Sequence, residues 1–174
     1  MNGCEMPVVI CSGSGNQGLT ASIPVIEYAK ALHVGRDKLY RALLISNLIT
    51  LHEKTGIGRL SAYCGAVSAG AGAGAGIAYL HGGDEEVIAH TIVNALAISS
   101  GIVCDGAKSS CAAKIATAVE TGIFGYEMYQ NGQQFYAGDG LVVKGVENSI
   151  QNFGRLARIG MRETDQEIIR MMTE

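Results

Sequence analysis

The sequence predicts a mainly α fold: a compact helical domain of about six or seven helices with little strand, arranged around a buried, Gly/Ala-rich central helix. Three observations carry this. Apolar residues recur at steps of three and four along most of the chain, the period of a helix with one buried face. Residues 60–80, LSAYCGAVSAGAGAGAGIAYL, hold no charge and are dominated by Gly, Ala and Ser. Proline occurs only at Pro7 and Pro24, so little interrupts a helix after the first segment. The length of 174 residues, 48% of them hydrophobic and 17% charged, suits a single domain spanning residues 1–174 and excludes a disordered chain.

Taken in order, Met6 to Cys11 (MPVVIC) is a short β-branched run that reads as a strand or an extended entry segment. Residues 12–18, SGSGNQG, are turn chemistry. A first helix is expected to begin near Thr20 to Ser22, with Pro24 in its first turn, and to run to about His33. Arg36 to Lys54 shows helical spacing at Leu39, Ala42, Leu43, Ser46, Asn47, Ile49 and Thr50, closed by Gly56 and Gly58. Residues 60–80 form a third helix, in which Ala62, Ala66, Gly70, Gly74 and Ala78 fall at steps of four and make a stripe almost without side chains. Each interior glycine costs about 1 kcal/mol against alanine, so close packing by another backbone has to compensate. His81, Gly82 and Gly83 end that helix, and Asp84, Glu85 and Glu86 give the next an acidic first turn. The fourth helix runs to about Ser100, and a fifth covers about Ser110 to Gly122. Residues 124–143, rich in Gly and Tyr, read as a long loop or a hairpin, and 146–159 and 164–172 as closing amphipathic helices.

Charge and cysteine content narrow the function classes. With 13 Lys and Arg against 16 Asp and Glu, the net charge of −3 leaves no footprint for nucleic acid. Residues 60–80 and 87–104 are uncharged, but the first supplies little transfer energy and the second carries His90, Asn94, Ser99 and Ser100, so no membrane span is expected. The N-terminus lacks a basic segment followed by an apolar run, and five cysteines are an odd and sparse set for a secreted disulfide scaffold. A reduced, cytoplasmic protein follows.

Two groups of residues carry chemistry. Gly13, Ser14, Gly15, Asn16, Gln17 and Gly18 match the dinucleotide pattern GxGxxG, but Asp37 falls at a helix start and no alternating parallel strands follow. A plain glycine turn is one reading. A helix N-terminus offering free N–H groups to a carboxylate or other anion is another, with Ser12, Ser14, Asn16 and Gln17 as added donors. The second group is cysteine: Cys104 and Cys111 flank the loop CDGAKSSC, and Cys64 lies on the Gly/Ala segment. No close CxxC pair exists, so a zinc finger is not indicated. Three thiolates without a fourth would suit an iron–sulfur cluster with one iron open, whereas buried free cysteines acting as small core hydrophobes are the plainer reading. Asp105 and Lys108 place a charged pair in the same loop. His33, His52 and His81 fall near helix ends and His90 in mid-helix, with no Ser-His-Asp pattern to read from them.

Together, PVVICSGSGNQG, ALLISNLITLHEKTGIGRLSAYCGAVSAGAGAGAGIAYLHGG and GIVCDGAKSSCAAKIATAVETG resemble the C-terminal part of the L-cysteine desulfidase family, itself related to iron–sulfur-dependent L-serine dehydratase alpha chains. The resemblance covers nearly the whole chain. It implies that Cys64, Cys104 and Cys111 hold a [4Fe-4S] cluster whose open iron binds substrate, and that Ser12, Gly13, Ser14, Gly15, Asn16 and Gln17 line the substrate site. Cys4 and Cys11 match no ligand position and are expected to be structural.

The implied reaction is α,β-elimination from a small L-amino acid without pyridoxal phosphate, the open iron serving as a Lewis acid while a base of unassigned identity removes the α-proton. With L-cysteine the products are pyruvate, ammonia and hydrogen sulfide; L-serine dehydration is the alternative. Family members are more than twice as long, and their N-terminal region contributes a further cysteine. The chain is therefore expected to be a C-terminal portion that works with a missing N-terminal region or subunit, with a homo-oligomer left open. A non-catalytic helical domain with the family core but no cluster is the competing hypothesis. It would disperse the three cysteines through a dry core, whereas a cluster domain would bring them to one cavity.

Overall fold

A computed structural model describes residues 5–174, so Cys4 lies outside the described residues. Among these, seven α-helices and one π-helical turn form the fold: α1 (Gly15–Ala31), α2 (Arg36–Ile57), α3 (Gly65–Leu80), α4 (Glu85–Ser99), α5 (Cys111–Gln130), α6 (Val146–Arg155), the π turn Leu156–Gly160, and α7 (Arg162–Thr173). Isolated bridges, Cys11 with Ser14 and Tyr63 with Val103, are the β-structure present among the described residues. The expected mainly α architecture is thus the observed one. The dinucleotide reading of residues 13–18 loses its frame, since no parallel sheet is there to carry it.

Helix α3 is the axis of the fold and packs against α1, α2, α4 and α5. All of its residues except Tyr79 are buried. The single small-residue stripe read from the sequence is in fact two. A methyl group on Gly70 or Gly74 would sit 2.3 Å from the Ala118 carbonyl oxygen or 2.6 Å from that of Gly122, both on α5. One on Gly72 or Gly76 would sit 2.5 Å from the Ser46 carbonyl oxygen or 2.9 Å from that of Ala42, both on α2. Glycines two apart in a helix lie on nearly opposite sides, so one alternating run serves two neighbours at once. Ser46 and Thr50 satisfy their buried hydroxyls on the Ala21 and Ser46 carbonyls, at 2.6 and 2.7 Å.

Three boundaries differ from expectation: the start of α1, the end of α5, and the start of α3, which opens at Gly65 with residues 60–64 outside the helix. Helix α1 begins at Gly15, several residues early, because Ser14 caps it by accepting from the Gln17 N–H at 3.2 Å. Pro24 therefore lies inside α1, where it withholds an N–H from the preceding turn. Helix α5 continues through Phe124 to Gln130, and only residues 131–145 form the irregular connection. Small residues at Gly122 and Gly125 let it run flush against α3 and α4.

Candidate functional site

The N-termini of α1, α3 and α5 meet at a cavity of about 420 Å³. Its first wall is the loop before α1. Ser12 holds a left-handed conformation, φ 58°, and its hydroxyl donates to the Gln17 side-chain oxygen, which also accepts from the Gly13 N–H at 3.4 Å. Gln17 is buried, and its amide lies against Gly65, where a methyl group would come within 2.2 Å of Nε2. The loop of candidate substrate residues is thereby fixed to the start of α3. Gly13, Ser14, Asn16 and Gln17 line the cavity, while Ser12 and Gly15 stand behind them.

The cysteines form the second wall. The Tyr63–Val103 bridge is flanked by backbone bonds from Cys64 N–H to the Ile102 carbonyl, 3.1 Å, and from Cys104 N–H to the Ala62 carbonyl, 2.6 Å. These pin Cys64, the N-cap of α3, beside Cys104. The neighbouring Cys64 thiol, the Gly106 N–H and the Lys114 ammonium hold the Cys104 thiol below its ordinary 9.0. The same neighbour and burial push the Cys64 thiol up. Cys111 opens α5 with its sulfur between the Lys108 N–H and the Gly106 carbonyl, each at 3.4 Å. All three cysteines line the same cavity as free thiols. Cys11 is buried with Ala21 and Ala69 instead, away from that wall. Of the charged loop pair, Asp105 bonds to Lys114, which also donates to the Val103 carbonyl at 3.0 Å, while Lys108 is exposed.

A model of the family described as serine dehydratase alpha chain matches residues 1–170. The chain belongs to that family. It is 70% identical to a UPF0597 protein of Desulfitobacterium hafniense over 172 residues, 99% of this chain and 40% of that protein. UPF0597 proteins of Lachnoclostridium phytofermentans and Finegoldia magna are 59% and 52% identical, over 99% and 100% of this chain and 41% and 42% of theirs. The chain thus spans about two fifths of the length of the curated relatives it matches. No solved structure matches it. No helix among the described residues is long and apolar enough to cross a membrane.

Among the described residues no group of three or more His, Cys, Asp or Glu side chains could hold a single metal ion, so the three cysteines do not form a closed zinc site. They are three soft donors on one cavity wall, with Lys114 and the Gly106 N–H as positive neighbours of Cys104.

The sequence reading missed three further residues here. Lys54 is buried and lines the cavity. Its neighbour Glu53 is fully buried with neither carboxyl oxygen hydrogen-bonded, and burial drives its pKa well above the usual carboxylate range despite a nearby Ser68 hydroxyl. Tyr63 lines the cavity with its hydroxyl unpaired, and burial pushes its pKa up. The available signal was positional. Ala42, Ser46, Thr50 and Ile57 trace one buried face of α2, and Glu53 and Lys54 continue it where a helix end would ordinarily be solvated.

Proposed function

We propose that this chain is the cluster-binding part of a lyase that carries out α,β-elimination on a small L-amino acid, with L-cysteine as substrate. The observation that supports it is the meeting of Cys64, Cys104 and Cys111 at one cavity opposite the Gly13–Gln17 loop. In this reading the three thiolates hold a [4Fe-4S] cluster, which supplies a Lewis-acidic iron for the β-leaving group. The chain's own residues then orient the substrate. Helix α1 presents its unbonded first N–H groups to the carboxylate, Gln17 braces the loop against Gly65, and the apolar side chains of Ile115 and Ile168 limit water at the cavity wall. Loss of the α-proton and of hydrogen sulfide gives aminoacrylate, which tautomerises and takes up water to yield pyruvate and ammonia. The remainder of the relatives' length, as an N-terminal region or a separate subunit, completes the enzyme, and the reduced thiols suit the cytoplasm.

The family description favours a second substrate, L-serine, whose elimination releases water instead of hydrogen sulfide. Anaerobic reconstitution of this chain with iron and sulfide tests the cluster. A brown protein with about four irons per chain, bleached in Cys104→Ala, is expected. A folded protein that stays colourless, both alone and joined to the remaining region of a relative, overturns the reading. Pyruvate and sulfide assays on the joined form then separate cysteine from serine.

A further inference from the structure

Lys54 is a largely buried lysine without a carboxylate partner. It is 6% exposed, it lines the cavity, and no ion pair involves it among the described residues. A charge held mostly away from bulk water favours an anion beside it. Glu53, its chain neighbour, makes no ion pair with it, since adjacent helix positions point about 100° apart. The other cations of the cavity differ. Lys114 is committed to Asp105 and the Val103 carbonyl, and Arg59 is exposed at the rim. Asp165 on α7 is the acidic residue of the lining, and it too makes no ion pair with Lys54. Burial pulls the lysine's pKa down, while Cys104 and Cys64, when ionised, push it up, and all three line the same cavity.

A largely buried ammonium lining a cavity favours anions there; the ionised cysteines are one source and a carboxylate arriving from outside is another. The N-terminus of α1 borders the same space at Asn16 and favours the same charge. We infer that Lys54 binds the α-carboxylate of the incoming amino acid, fixing its position beside the Gly13–Gln17 loop. This rests on the amino-acid lyase reading and adds the residue that recognises the substrate class. The carboxylate is common to cysteine and serine, so Lys54 selects for an α-amino acid and leaves the choice of β-substituent to the cysteine side of the cavity.

The test uses L-alanine, which has the α-carboxylate but no leaving group, against L-alaninamide, which lacks the negative charge. Both are titrated into this chain by calorimetry, before and after iron–sulfur reconstitution. Wild type is expected to bind L-alanine at least tenfold tighter than the amide. Lys54→Gln is expected to lose that preference, and Lys54→Arg to keep part of it. Equal binding of the two ligands by wild type, no binding of L-alanine, or an unchanged preference in Lys54→Gln overturns the assignment; the first two of these need no variant that folds. Iron content and the visible spectrum, recorded on the same samples, keep the two readings apart. A protein colourless both alone and joined to a relative's remaining region, yet with a Lys54-dependent preference, sinks the cluster alone, and a brown protein without the preference sinks Lys54 alone.

Discussion

The middle and the C-terminal end of α2 follow opposite rules. In the middle the helix meets α3 across Gly72 and Gly76, and the buried hydroxyls of Ser46 and Thr50 each bond a carbonyl. Further along, Glu53 and Lys54 are also buried, yet the acid has no hydrogen-bond partner and the lysine no ion pair. The first region obeys the rule that buried polar groups are satisfied. The second breaks it beside a cavity, and stability forgone there is what a binding site costs. The comparison separates residues that hold the helices together from residues held ready for something else.

The comparison breaks most visibly on the packed side. Gly70→Val would drive a side chain into the Ala118 carbonyl, 2.3 Å from where even a methyl would stand, and α5 cannot retreat without losing Gly74 and Gly122 as well. Overpacking of this kind costs on the order of 3 kcal/mol or more when the obstacle is backbone. The expected outcome is loss of the cooperative thermal transition followed by circular dichroism. A Gly70→Val protein that melts like wild type would mean α3 and α5 are not in backbone contact.

At the boundary between the two regions, Gly65→Ala should cost less, about 1–2 kcal/mol, because the obstacle is the Gln17 side chain rather than backbone. Its larger consequence is local. Gln17 would release the Ser12 hydroxyl and the Gly13 N–H, so amide exchange at residues 13–17 should quicken while that of α3 stays slow. Uniform quickening would show that Gly65 serves packing alone.

On the unsatisfied side, the sign of a pH effect gives the sharper test. The folded-state pKa of Glu53 lies well above its ordinary 4.5. Between those values the folded state holds a proton that the unfolded state has lost, so stability falls as pH rises above about 4.5. Glu53→Gln removes the titrating group, and its melting temperature should gain on wild type progressively from pH 5 to pH 8. Parallel curves for the two proteins would show that Glu53 is ionised and paired in solution.

How far the sequence could be read follows the same division. Element ends that depend on local chemistry were legible: Asp84 caps α4 by accepting from the Val87 N–H at 3.1 Å, and Gly58 closes α2 with φ 105°. The small-residue character of α3 was legible too, but its division into two stripes depends on which helices lie either side, which no local pattern states. The α1 start was misplaced because Ser14 looks like one more turn residue until the Gln17 N–H is seen to bond it. Among site residues, the cysteines and the Gly13–Gln17 loop stand out by type and spacing. Glu53 and Lys54 look like the solvated end of an amphipathic helix, and only the tertiary fold, which lays the Tyr63–Cys64 segment over them, removes the water.

The smallest effect, and the most specific, concerns the cysteines at the cavity. The Cys64 thiol holds the Cys104 pKa below its ordinary 9.0, while burial raises that of Cys11 above it. The thiolate is the reactive form. Iodoacetamide at pH 7 should therefore modify Cys104 well ahead of Cys11, with a rate that levels off below the pH at which an ordinary thiol would, and this should change the melting temperature little. Cys64→Ala removes the bond that stabilises the thiolate, so the midpoint of the Cys104 rate profile should move up toward 9. Mass spectrometry of the labelled peptides reads both results. A midpoint unmoved by Cys64→Ala would assign the low value to Lys114 and the Gly106 N–H. The two cysteines would then be neighbours along the wall without acting as a pair, and the case for thiolates prepared to receive iron would rest on Cys104 and Cys111.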